Sequence, residues 1–123
     1  MRSLVRRPWI GGATLVLTAA CASGDPERKP FACDVTLPTA CPDPMPHYAD
    51  VQPIFERRCA TPCHSDTSTG PWPLTSYQDV ADWYDVIRDT VGECSMPPRD
   101  SGQTLPSDES QAILTWIRCG FPR

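Results

Sequence analysis

The chain has 123 residues, among them 15 prolines and 7 cysteines. That length allows one domain, and so many prolines confine regular structure to part of it. Fifteen acidic residues against eleven basic ones give a net charge of −4, which argues against a nucleic-acid partner.

Residues 1–20 read as an export signal. Arg2, Arg6 and Arg7 form a basic start, and Trp9 to Ala20 is uncharged and ends in two small residues. The stretch is too short to span a bilayer. Leu17-Thr18-Ala19-Ala20-Cys21 resembles a bacterial lipoprotein signal. The resemblance implies that Cys21 is lipidated, becomes the new N-terminus and anchors the chain to a membrane. Lipoprotein signals prefer Leu where this chain has Thr18, so ordinary cleavage near Ala20, giving a soluble periplasmic protein, is the alternative. Ala22 stands where an Asp would imply retention at the inner membrane, and so implies the outer membrane, facing the periplasm. Without the signal, fifteen acidic minus eight basic residues leave a charge of −7. That surface permits steering toward a basic partner, and it equally serves solubility.

Residues 21–47 read as a linker. Pro26, Pro30, Pro38, Pro42, Pro44 and Pro46 exclude helix and central strand, and a stiff segment of this kind holds a domain away from a membrane. Cys33 and Cys41 lie within it, and an exported location favours a disulfide closing a small loop. Met45 and His47 read as tail residues rather than ligands.

The domain is expected over 48–123. Asp50 caps a first helix carrying Val51, Ile54 and Phe55 on one face, with Pro53 tolerated in the first turn. That helix delivers the chain into Cys59-Ala60-Thr61-Pro62-Cys63-His64. The common covalent haem motif is C-x-x-C-H; here it is one residue longer. Two thiols must reach two vinyl groups of one porphyrin, and an imidazole must land over the iron. Residues four apart on a helix share a face about as well as residues three apart. Pro62 predicts a locally looped segment in which an extra residue is absorbed. His64 is then the proximal iron ligand. Two other readings stay open: Cys59 and Cys63 in disulfides with His64 on the surface, or a zinc site with His47 as a further ligand.

A polar loop, 65–70, leads to Pro71-Trp72-Pro73-Leu74. Val80, Trp83, Tyr84, Ile87 and Val91 then form one helical face that reads as core. Thr75 and Gln78 have capping-box spacing at its start, and Gly92 suits its end. Met96, in the loop Cys94-Ser95-Met96-Pro97-Pro98, is the candidate second axial ligand, since a thioether binds haem iron. The last helix begins near Ser107, carries Ile113, Trp116 and Ile117 on one face, and ends at Cys119-Gly120. Seven cysteines, less Cys21 for lipid and Cys59 and Cys63 for haem, leave four. Four allow three pairings; Cys33 with Cys41 and Cys94 with Cys119 is the pairing expected.

Residues 48–123 resemble a small monohaem cytochrome c domain. The resemblance rests on the order of the motifs: Val51-Gln52-Pro53-Ile54-Phe55, then Cys59…Cys63-His64, Gly70-Pro71 with Leu74, Met96-Pro97-Pro98, and Ile113-Leu114-Thr115-Trp116-Ile117. It implies an all-α, cytochrome c-like fold of about three short helices around one haem. It also implies one covalent haem c held by Cys59 and Cys63, with iron ligated by His64 and Met96. The first and last helices would cross with Phe55 against Trp116, and the Pro71 carbonyl would orient the proximal imidazole. The implied function is electron transfer with redox partner proteins of the cell envelope, an electron carrier rather than an enzyme. The alternative is a disulfide-stabilised structural or interaction lipoprotein that has lost haem binding. A haem enzyme or sensor follows if the sixth iron position is open.

Overall fold

The computed structural model describes residues 33–67 and 70–123. The signal stretch 1–20 and Cys21 lie outside the described residues. Among the described residues all regular structure is helical and there is no strand, as an all-α chain requires. None of these helices is long and apolar enough to cross a membrane.

Helix α1 spans Tyr48–Ile54. Its N-cap is His47 rather than Asp50. The Asp50 carboxylate reaches back to accept the His47 backbone N–H at 2.8 Å, the returning arm of a capping box. Helix α1 runs directly into a π-helical segment, Phe55–His64, which carries the whole Cys59-to-His64 run. The loop expected at Pro62 is therefore absent. In an α-helix the proline ring collides with the carbonyl four residues back. Bonding five residues back widens the turn and relieves that collision.

The long amphipathic helix expected over 80–91 is divided. Helix α2 spans Tyr77–Asp82 and α3 spans Tyr84–Gly92, with the break at Trp83 (φ −113°, ψ 17°). One residue leaving helical angles barely disturbs the stripe, so Val80, Ile87 and Val91 are all buried. Tyr84 instead turns outward and stacks on Phe121, ring centroids 4.6 Å apart. The cap before α2 is Ser76 with Asp79, not Thr75 with Gln78. Ser76 Oγ accepts the Asp79 N–H at 3.2 Å, and the Asp79 carboxylate accepts the Ser76 N–H at 3.0 Å.

At the end of α3 the left-handed residue is Cys94 (φ 54°), not Gly92. The Cys94 N–H donates to the Val91 carbonyl at 3.1 Å and the Ser95 N–H to the Thr90 carbonyl at 2.9 Å. This is a Schellman arrangement with cysteine in the usual glycine position. Helix α4, Ser107–Arg118, ends the same way at Gly120 (φ 83°).

The core lies where α1 and the start of the π-helical segment cross α4. Phe55 and Trp116 meet there edge to face, centroids 6.1 Å apart, as the resemblance implied. Arg57 and Arg58 clamp Glu109 of α4, at 3.0 and 2.6 Å. The Arg58 hydrogen bond is the main reason that the Glu109 carboxyl is held below the ordinary glutamate range.

The disulfides correct the expected pairing. Cys33 bonds Cys94 and Cys41 bonds Cys119; Cys33 and Cys41 do not close a loop on each other. Cys33 faces the left-handed corner after α3 and Cys41 faces the end of α4, so each bridge joins the proline-rich segment to a helix terminus. Further contacts run along this segment. Val35 packs on the core, the Thr39 carbonyl accepts from Arg118 at 3.0 Å, and the His47 ring donates to the Arg123 carbonyl at 2.7 Å. Residues 33–47 are thus part of the same compact unit as the helices rather than a spacer before it. Loops closed over 61 and 78 residues are long, and each such bridge is worth about 4 kcal/mol in the chain-entropy account.

Candidate functional site

One cleft gathers the residues singled out in the sequence. Its walls come from the π-helical segment, the loop after Pro71, α3 and the Met96 loop, and it encloses about 800 Å³, part of it open to solvent. A cleft with apolar walls and a few convergent polar groups is the usual form of a small-molecule or cofactor site. Cys59, Cys63, His64 and Met96 all line it, and Phe55, Leu74, Ile87 and Val91 form an apolar floor. Trp72, Val86 and Met96 stand along it with 50%, 38% and 39% of their surface exposed. Arg58 is the cation of the lining, and its charge is already met by Glu109.

The π-helical turn is what places the extra residue of the motif. Bonding to the fifth residue rather than the fourth adds about one residue to each turn. Cys59, Cys63 and His64, spaced by four and one, then stay within about one turn and line the cleft together. Cys59 and Cys63 lie outside both disulfides. His47 is engaged with Arg123, as described, and among the described residues no group of three His, Cys, Asp or Glu side chains could hold a metal ion. The zinc arrangement with His47 is therefore not what these residues form.

Burial pushes the Cys59 thiol up to about 11, with the neighbouring Cys63 a second cause. The thiolate is the reactive form, so Cys59 in the folded chain is a poor nucleophile at neutral pH. In the chain without a bound group, alkylation of the Cys59 thiol by iodoacetamide at pH 8 is expected to be about 100-fold slower than for a free cysteine. It should accelerate tenfold per pH unit up to about pH 11. Peptide mapping of the alkylated chain measures this, and fast labelling at pH 8 would contradict the burial.

His64 is held by its backbone surroundings. Its Nδ1 lies 2.7 Å from the Pro71 carbonyl and 3.1 Å from the Trp72 carbonyl. Carbonyls only accept, so Nδ1 carries the proton and Nε2 keeps its lone pair. The expected Pro71 contact is thus present, and the Trp72 carbonyl joins it. The loop is pinned at both ends. The Leu74 N–H donates to the His64 carbonyl at 2.8 Å, and Gly70 lies so close that an added Cβ would come within 2.0 Å of the Cys63 carbonyl oxygen.

The Met96 loop is held by one acceptor. The Thr90 carbonyl receives the Ser95 N–H, the Met96 N–H and the Ser95 hydroxyl at 2.9, 3.2 and 3.2 Å. The Cys94–Cys33 bridge fixes the first residue of the loop. Sequence reasoning did not single out Trp72 or Arg58. Trp72 had a signal, its place between two prolines; Arg58 reads from sequence as an ordinary surface charge.

In comparisons of the chain with protein-family models, curated proteins and solved structures, nothing matches.

The residues present fit a haem. The lining supplies two thiols, a nitrogen donor whose other ring nitrogen is committed, a thioether, and an apolar cradle for a flat macrocycle.

Proposed function

We propose that this chain is an electron carrier of cytochrome c-like fold, holding one covalent haem c in the cleft. The observation that carries the reading is the meeting of Cys59, Cys63, His64 and Met96 on one apolar cleft, with His64 Nδ1–H already given to backbone carbonyls. Cys59 and Cys63 would each add S–H across a vinyl group to form a thioether. His64 Nε2 and Met96 Sδ would hold the iron. The bound iron supplies one-electron redox chemistry. With His64 and Met96 both committed to the iron, no position would remain for a substrate, and the role of the chain would be electron transfer alone. The hydrogen bond from Nδ1 would raise the donor strength of Nε2.

Cys21 would carry the lipid, anchoring the domain at the outer membrane facing the periplasm. The partners are exported redox proteins met through small, transient interfaces.

The test is expression with a haem-attachment system. A red protein whose haem survives acid-acetone extraction is expected. Its ferric spectrum should show a weak band near the red end that Met96→Ala abolishes, and reduced Met96→Ala should bind carbon monoxide while the wild type does not. A colourless protein would overturn the proposal and favour the structural lipoprotein. A red wild type that binds carbon monoxide would leave haem in place and remove Met96 as ligand.

A further inference from the structure

The loop that aims His64 contains a conformational oddity. Trp72 sits at φ 56°, in the left-handed region that a bulky side chain rarely adopts. The result is that two successive carbonyls, of Pro71 and Trp72, both face His64 Nδ1. In an extended chain neighbouring carbonyls point opposite ways; here the turn at Trp72, made with left-handed angles, brings them to one side. Gly70 and Leu74 pin the ends of the loop to Cys63 and His64. They do not fix what happens at Trp72.

The Trp72 ring, half-exposed, lies on the ring of Trp83, centroids 4.5 Å apart and 32° between planes. Trp83 is itself the residue that breaks the helix between α2 and α3, and it packs against the buried core. The helix break thus presents a flat, anchored surface to the loop opposite. Both rings line the cleft.

We propose that Trp83 is a positioning residue for His64. By stacking on Trp72 it holds the left-handed turn that sends two carbonyls to Nδ1, and so it sets the electron-donating strength of Nε2. Only the redox consequence rests on the haem reading; the orientation of His64 does not. A stronger Nδ1 hydrogen bond makes the imidazole more basic and favours ferric iron. Loss of the stack then raises the reduction potential.

Trp83→Phe, Trp83→Leu and Trp83→Ala test this in the full chain as purified. Phe keeps a flat face, Leu keeps apolar volume without one, and Ala removes both. The first readout is solvent exchange of the His64 Nδ1 proton by NMR. It should stay near wild type in the Phe variant and become at least tenfold faster in Leu and Ala. The second is the midpoint potential of haem-loaded protein. At a fixed potential the reduced-to-oxidised ratio should rise three- to tenfold in Leu and Ala, tenfold corresponding to about 59 mV for one electron. If Leu exchanges as slowly as wild type and keeps its potential, Trp83 only packs and the proposal fails. The Leu variant decides the matter even if Ala does not fold. A wild type that takes up no haem would sink the electron-carrier reading, while the exchange rates would still decide the role of Trp83.

Discussion

Trp116→Ala is expected to remove about 3–5 kcal/mol of unfolding free energy, the range for deleting a buried large aromatic. Trp116 is fully buried. Four rings surround it, those of Tyr48, Phe55, Tyr77 and Phe121, at 5.9, 6.1, 6.5 and 6.1 Å. Its indole N–H donates to the Pro122 carbonyl at 2.8 Å, and that same carbonyl accepts the Tyr48 N–H at 2.9 Å. One side chain therefore joins the start of α1, the π-helical segment, α4 and the end of the chain. Truncation removes packing on every side and leaves a cavity that four rigid rings cannot close. Domains of this size have about 5–15 kcal/mol in total, so about a fifth or more of the stability is at stake. Urea unfolding measures it, and a loss under about 1 kcal/mol would contradict this placement of the core. Trp116→Phe should cost less, because a ring remains and only the hydrogen bond and part of the volume go.

Gly70→Ala should both destabilise the chain and release His64. The added Cβ would come within 2.0 Å of the Cys63 carbonyl oxygen and 2.9 Å of its carbon. These are backbone atoms inside the π-helical segment, so neither can swing aside as a side chain would. The loop must back away, and the 2.7 Å bond from His64 to Pro71 goes with it. Forced overpacking of this kind costs about 1–3 kcal/mol. Gly92→Ala is the matched control. Its new Cβ would meet only the Leu37 methyl at 3.1 Å, which can rotate, and alanine favours the helix by about 0.8–1 kcal/mol. Urea midpoints compare the two variants, and exchange of the His64 Nδ1 proton shows whether the ring has come loose. An unperturbed His64 in Gly70→Ala would refute the close approach.

How much of this the sequence carried depends on the range of the cause. The apolar faces that carry Phe55 and Trp116 were legible from their period, and their meeting was implied by the cytochrome c resemblance. The Pro71 contact to His64 was implied by the cytochrome c resemblance. The division of the long helix at Trp83 was not legible, since a single non-helical residue leaves the spacing of Val80, Ile87 and Val91 nearly intact. The π-helical turn was missed for a related reason. Pro62 signals a breach in α-helical bonding, but a loop and a widened helix both satisfy it. Disulfide pairing was out of reach, because it depends on which chain segments approach in three dimensions. The local guess, Cys33 with Cys41, assumed the proline-rich stretch stood alone. Val35, Thr39 and His47 engage the helical part, and that draws each cysteine to a distant partner.

The two bridges also decide where tension would travel. Tugged between its ends, the chain meets Cys33 first, runs along the short stretch to Cys41, crosses to Cys119 and leaves through the last residues. Everything from α1 to α4 hangs off that route as a slack side branch. A domain tethered at its N-terminal side and pulled by whatever binds its C-terminal end would bear the load mainly in the one Cys41–Cys119 link and the short stretch before it, by-passing most of the walls of the cleft.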